Sequence, residues 1–143
     1  MKLRDIMTSP VIRIHPEESV AVAARMLEHY NIGILPVCGN NGGITGLVTD
    51  RDMVTRCLAA GKNPTATTVG EIMTGQVITA PADMDAALAA SLMGREQIRR
   101  LPVVENGRLC GMVSLGDLAQ QEQTVYDAGD ALAEVSNTLS SRK

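Results

Sequence analysis

The chain has 143 residues, two Tyr, no Trp, no Phe and a formal net charge of −3. That length suits one domain, whose core must be built from Val, Ile, Leu, Met and Ala, and folding at this size buries about 68–70% of the unfolded chain's surface. The acidic balance and the lack of a basic block exclude a nucleic-acid footprint, which needs clustered Lys and Arg and often stacking aromatics.

Cys38, Cys57 and Cys110 are widely spaced, without Cys-x-x-Cys, and suit reduced thiols in a cytoplasmic protein. The sequence predicts no signal peptide and no membrane span.

In chain order, Val11–Ile14 is a short β-rich run, followed by a turn with Pro16, Glu17 and Glu18. Val20, Ala23, Ala24 and Leu27 then fall at helical spacing and predict one buried helix face. Leu35-Pro36-Val37-Cys38 reads as a strand with an early Pro, where a missing N–H is tolerated. Gly39-Asn40-Asn41-Gly42-Gly43 is a hairpin signal. The returning strand delivers Thr49 at a helix start, with a last helix expected over Asp52 to Ala60. Residues 61–68, polar with Gly61 and Pro64, read as a linker.

The same order then recurs. Residues 3–38 and 69–104 align without a gap at an offset of 66, with 12 identities in 36 positions, including Ile6-Met7-Thr8 with Ile72-Met73-Thr74 and Leu35-Pro36-Val37 with Leu101-Pro102-Val103. Ordinary residue usage gives roughly two or three by chance. The second copy has a β-run Val77–Ala80 and a helix face of Ala86, Ala89, Ala90 and Met93. A strand Leu101–Val104, an Asn106-Gly107 turn and a helix over Asp117 to Glu122 follow. The period exceeds that of solenoid repeats. It predicts a mixed α/β (α+β) fold of two β-α-β-β-α repeats about a pseudo-twofold axis. Repeat 1 spans 1–60, the linker 61–68, repeat 2 69–122 and the tail 123–143. In the tail, Ala131, Leu132, Val135 and Leu139 predict an amphipathic helix, with Ser140–Lys143 frayed.

The chemistry gathers at two corners, Gly46-Leu47-Val48-Thr49-Asp50-Arg51-Asp52 and Gly111-Met112-Val113-Ser114-Leu115-Gly116-Asp117. A helix start presents free N–H groups to polar ligands, and a carboxylate there suits the hydroxyls of a ribose. The same Thr/Ser-x-x-Asp spacing is also a capping box that only fixes the helix start. No catalytic constellation is found. His15 and His29 read as solvated or packing residues, and the scattered Cys and His match no zinc spacing. The methionines suit core gaps.

Two ordered copies of Ile-Met-Thr, a strand, an Ala-rich helix, Leu-Pro-Val, a Gly-bearing turn and Gly-x-Val-Thr/Ser-x-x-Asp resemble a tandem pair of CBS domains, a Bateman module, over about residues 1–122. The resemblance is to small stand-alone bacterial CBS pairs. It implies a non-catalytic regulatory module that binds adenosine-containing molecules (AMP, ADP, ATP, NAD or S-adenosylmethionine) in clefts between the repeats. It also implies a homodimer acting on an unidentified regulated protein. Asp52 with Thr49, and Asp117 with Ser114, would hold the ribose and phosphate. Arg99 and Arg100 would supply phosphate contacts, expected at the Asp52 corner, with Arg51 beside Asp50 adding another. Ile12, Arg13, Ile78 and Thr79 would hold the adenine. Gly33 and Ile34 stand where the second copy has Arg99 and Arg100, so the two sites are expected to differ. The rival reading is an interaction protein with vestigial clefts; an unrecognised hydrolytic enzyme is a third. No cofactor, metal, nucleic acid or membrane partner is expected.

Overall fold

A computed structural model describes the backbone of residues 1–141 and the side chains of residues 1–137. The side chain of Leu139, and the expected fraying of the end at Arg142 and Lys143, lie outside the described residues. After a single 3-10 turn at Leu3–Asp5, the elements are α1 (Val20–Tyr30), β1 (Ile34–Cys38) and β2 (Ile44–Thr49). Next come α2 (Asp50–Asp52), continued as a π-helical stretch Met53–Leu58, and α3 (Val69–Ile72). The second copy gives α4 (Ala86–Glu96), β3 (Arg100–Glu105), β4 (Arg108–Ser114) and α5 (Leu115–Ala119), before the tail helix α6 (Val125–Ser141). The strands form two separate antiparallel hairpins, β1–β2 and β3–β4.

Local chemistry sets these boundaries. Ser19 Oγ accepts from Val22 N at 3.1 Å and starts α1; Asp85 Oδ2 accepts from Ala87 N at 3.1 Å and starts α4. Both helices close through a left-handed residue, Asn31 at φ 53° and Gln97 at φ 59°. Asn106 and Gly107, both at positive φ, make the two-residue turn between Glu105 and Arg108, whose twist matches the strands it joins.

The chain folds as two compact units that do not follow the order of the repeats. One consists of Ile12–Val77, the other of Met1–Val11 with the chain from Ile78 onward. Each unit is a hairpin extended on both edges by one bridging residue. In the Ile12–Val77 unit, Thr74 pairs with Leu47 through two N–H···O bonds of 2.8 and 3.0 Å, and Ile14 bridges Val37 in parallel. In the other unit Thr8 pairs with Met112 at 2.9 and 3.1 Å, and Ala80 bridges Val103. The strands expected over Val11–Ile14 and Val77–Ala80 thus shrink to single bridges. The cause is the proline: the next rung toward Ile12 needs an N–H from residue 36, and toward Ile78 from residue 102, and Pro36 and Pro102 have none.

The Ile-Met-Thr motif locks each edge. A Cβ on Gly46 would stand 2.6 Å from Met73 Sδ and 2.8 Å from the Thr74 carbonyl; one on Gly111 would overlap Met7. Only glycine lets these methionines lie across the hairpins.

Around the Ile12–Val77 hairpin the core is Val20, Ala23, Leu27, Leu35, Val48, Met53 and Ile72. Around the other it is Leu3, Ala86, Ala89, Ala90, Met93, Leu101, Val113 and Leu118, joined by Ala128 and Ala131 of α6. The helix α6 packs on α4 and α5, and a Cβ on Gly94 would meet the Ala131 Cα at 3.0 Å. That cover explains one departure from expectation. Ala90 is buried as predicted, but its repeat-1 counterpart Ala24 is exposed, because no tail helix lies on α1 within its unit. The final helices start earlier than expected, at Asp50 and Leu115: the hydroxyl residues are their caps, so the aspartates fall at the third helical position rather than the first.

Candidate functional site

The two corners share one geometry. At the first, Thr49 Oγ1 accepts from Asp52 N at 3.1 Å and Asp52 Oδ2 accepts from Thr49 N at 3.0 Å. At the second, Ser114 Oγ accepts from Asp117 N at 3.0 Å and Asp117 Oδ2 accepts from Ser114 N at 2.9 Å. Both are complete capping boxes. In each, one carboxylate oxygen is occupied and the other remains to be explained.

That second oxygen separates the corners. Asp52 is buried at 7% exposure, and its Oδ1 faces the Arg56 Nε at 3.8 Å. Arg56 also donates from Nη1 to the carbonyls of Ile72 and Met73, each at 3.2 Å. Asp117 is half-buried, and Gln121 stands where Arg56 does in the first copy. Sequence reading missed Arg56; its spacing of four from Asp52 on a helix was the available signal.

Beside the first corner, Asp50 Oδ1 accepts from Arg51 N at 2.8 Å, and Asp50 N donates to the Gly33 carbonyl at 3.1 Å. Arg51 is exposed. Ile34 pairs across the hairpin with Thr49. In the other unit the same places belong to arginines: Leu115 N donates to the Arg99 carbonyl at 3.0 Å, and Arg100 pairs with Ser114. Within their own unit, Arg99 and Arg100 therefore stand at the Ser114 corner. With Ser114, Leu115 and Gly116 they line a cavity of about 510 Å³, closed on one side by α6.

The expected adenine contacts are divided between the units. Ile12 and Arg13 precede the bridging Ile14, and Ile78 and Thr79 precede Ala80; all four are exposed or nearly so. Arg13 lies by Cys38, whose thiol is pushed up by burial, against the opposing pull of the guanidinium. No disulfide joins the three cysteines. His15 is held by its neighbours, with Nε2 2.8 Å from Asn40 Oδ1 and Nδ1 accepting from Glu17 N at 3.3 Å. His29 stacks edge-on with Tyr30. Among the described residues, no group of three or more His, Cys, Asp or Glu could hold a metal ion, and no helix is long and apolar enough to cross a membrane.

Comparison with known proteins fits this duplicated arrangement. The family model for the CBS domain matches residues 3–59 and again 69–123. The CBS domain-containing protein YhcV of Bacillus subtilis is 36% identical over 135 residues, covering 94% of this chain and 95% of its own. Hypoxic response protein 1 of Mycobacterium tuberculosis is 35% identical over 117 residues, 82% of each chain. A crystal structure of Hypoxic Response Protein I, with two coordinated zinc ions, superposes with a TM-score of 0.78 at 34% identity, covering 85% of this chain and 98% of that one. The CBS domain pair of protein MJ0100, solved in complex with 5-methylthioadenosine and S-adenosyl-L-methionine, gives a TM-score of 0.73 at 33% identity, covering 84% and 94% of the two chains. With two matches spanning most of its length, the chain belongs to the CBS domain family and carries two CBS domains in tandem.

Proposed function

We propose that this CBS pair is a non-catalytic regulatory module that binds an adenosine-containing molecule at its helix-start corners and signals by a change of shape to a second protein. The observation that carries the reading is the repeated corner itself: an aspartate held by its own cap through one carboxylate oxygen, the other facing Arg56 at Asp52 and having no ion-pair partner among the described residues at Asp117, where it can accept from a ribose diol. The complex of the MJ0100 pair with two adenosyl compounds supports the ligand class. Asp117 with Ser114, and Asp52 with Thr49, take the ribose; Arg51, Arg99 and Arg100 offer cationic contacts to phosphate. Ile12, Arg13, Ile78 and Thr79 border the adenine. A ligand that prefers one arrangement of the protein shifts its population by that difference in affinity. The reading includes a homodimer and a cytoplasmic setting.

The test is calorimetric titration of the full chain with AMP, ADP, ATP, NAD and S-adenosylmethionine, repeated on Asp52→Ala and Asp117→Ala. At least one compound binds, and its affinity collapses in at least one variant. Binding that survives both substitutions unchanged, or no binding by any of these compounds, refutes the reading and leaves a pair that serves as an interaction scaffold. Turnover of any of them by the pure protein would refute the non-catalytic part.

A further inference from the structure

The cavity beside Ser114 shares that residue with the second corner but not its aspartate. It lies between α5 and α6: Arg99, Arg100 and Ser114 supply its polar side chains, and the start of α5 and the aliphatic residues of α5 and α6, Leu132 among them, supply the rest of its lining. Asp117, Ile78 and Thr79 are not part of that lining. Four of the wall residues belong to α6, and from Val125 on this helix lies beyond both stretches matched by the CBS family model.

Its chemistry is divided in two. Its lining includes two arginines, neither of which has a carboxylate within ion-pair distance among the described residues. The rest is largely aliphatic, and Val125 and Leu132 keep 39% and 43% exposure although both belong to the helix that lines the cavity. At about 510 Å³ the space falls inside the range of small-molecule sites, about 300–1,000 Å³, which are typically apolar with a few convergent polar groups.

We propose that this cavity binds a small organic anion with an apolar body, its charged group held by Arg99 and Arg100 and its body laid on α6. A planar guanidinium fork grips a phosphate or carboxylate through paired hydrogen bonds, and the aliphatic wall rewards burial of the body. Because α6 supplies the wall, the ligand binds only the state in which the helix is docked, and its binding free energy is added to that docking. The inference shares Arg99, Arg100 and Ser114 with the adenosyl reading and goes beyond it in the wall that α6 supplies; the dependence on the octyl chain tells the two apart.

The probe is octyl phosphate, titrated calorimetrically into the full chain below its critical micelle concentration, with n-octanol, inorganic phosphate and octanoate as separate arms. Octyl phosphate binds at least about tenfold more tightly than octanol or phosphate alone, as expected when a charge-assisted contact and apolar burial act together. Octanoate binding comparably would place carboxylates among the ligands; weaker octanoate binding would restrict the class to phosphate esters. The double variant Arg99→Gln/Arg100→Gln weakens octyl phosphate at least about tenfold. Leu132→Glu, which offers the arginines a carboxylate from α6, does the same. Arg108→Gln, at the far end of the β3–β4 hairpin, leaves it unchanged. The substituted side chains are at least partly exposed, and thermal melts confirm that each variant folds. Octyl phosphate binding no better than octanol, or binding within twofold of wild type in the double variant and in Leu132→Glu, overturns the proposal. Loss of adenosyl binding in Asp52→Ala or Asp117→Ala bears on the corners alone.

Discussion

The Arg56 guanidinium stands 3.8 Å from the Asp52 carboxylate while its Nη1 donates to the carbonyls of Ile72 and Met73. One side chain thereby ties the helix-start corner of repeat 1 to the segment that opens repeat 2. The ion pair itself contributes little, because Arg56 is half-exposed and its charge is screened by water. The two carbonyl bonds matter more. Arg56→Ala should therefore cost about 1 kcal/mol in urea unfolding. Arg56→Lys should not restore it, since a single ammonium does not reproduce the planar fork. Equal stability of wild type and Arg56→Ala would show that the clamp is energetically idle.

Gly46 and Gly111 make a matched pair with unequal consequences. A Cβ at Gly46 meets the Thr74 backbone carbonyl at 2.8 Å as well as the Met73 side chain, whereas the three atoms nearest to one at Gly111 all belong to the Met7 side chain. A flexible thioether can move and a bridged carbonyl cannot. Gly46→Ala should cost about 1–3 kcal/mol, and Gly111→Ala clearly less. Adding Met7→Ala should relieve most of the Gly111→Ala penalty, while Met73→Ala should relieve little of that at Gly46. Two double-mutant cycles by chemical denaturation measure this difference.

Much of this was legible in the sequence. The duplication located both hairpins and both capped corners, because caps, turns and helix faces are set by residues within a few positions of one another. Met7 and Met73 read only as core residues. Their partners, Gly111 and Gly46, lie across the repeat boundary in sequence, and local periodicity carries no sign of such a pairing. The edge strands were overextended because Val11–Ile14 is β-rich by composition, and the proline that shortens them lies in the neighbouring strand. Ala24 and Ala90 are identical in sequence but differ in burial, since a helix from outside the repeat covers only Ala90. The place of Arg99 and Arg100 beside Ser114 within their own unit follows from the hairpin register, which pairs Arg100 with Ser114.

The tail helix depends on the absence of a side chain at Gly94. A Cβ there meets the Ala131 Cα at 3.0 Å and Glu134 Oε1 at 3.0 Å, and Glu28 occupies the same position in repeat 1. Gly94→Val should push α6 off α4, exposing Ala128, Ala131 and Val135. Amide exchange across residues 125–137 should rise far more than across α1. Unchanged protection of α6 in Gly94→Val would mean that the helix is held elsewhere. Thr124 is the first alternative, since its buried hydroxyl donates to the Leu118 carbonyl at 2.6 Å.

Glu71 gives a pH dependence with a definite sign. Its carboxylate accepts from Thr68 N at 2.7 Å and from the Thr68 hydroxyl at 3.1 Å, and the first of these bonds chiefly holds its pKa below the usual glutamate value. A depressed folded-state pKa stabilises the fold above the unfolded-state value, and that contribution fades as pH falls through the folded one. Glu71→Gln should lose this part of the acid dependence and match wild type more closely at low pH than at neutral pH. Carboxyl NMR titration should place Glu71 below the free-glutamate midpoint; a midpoint at or above it would contradict the cap.

The homodimer proposed above has a natural test on repeat 1. Val54 and Leu58 lie four residues apart on the π-helical stretch that continues α2, at 55% and 61% exposure. Two large aliphatic side chains at that spacing form one stripe, and burying it against a second copy would remove apolar surface from water. Leu58→Glu should leave the stability of the single chain within about 0.5 kcal/mol, as expected for an exposed position. If the stripe is the dimer contact, sedimentation velocity should show wild type as a dimer and Leu58→Glu as a monomer. A wild-type monomer across the measurable concentration range would end the dimer reading, and a Leu58→Glu dimer would move the contact to another face.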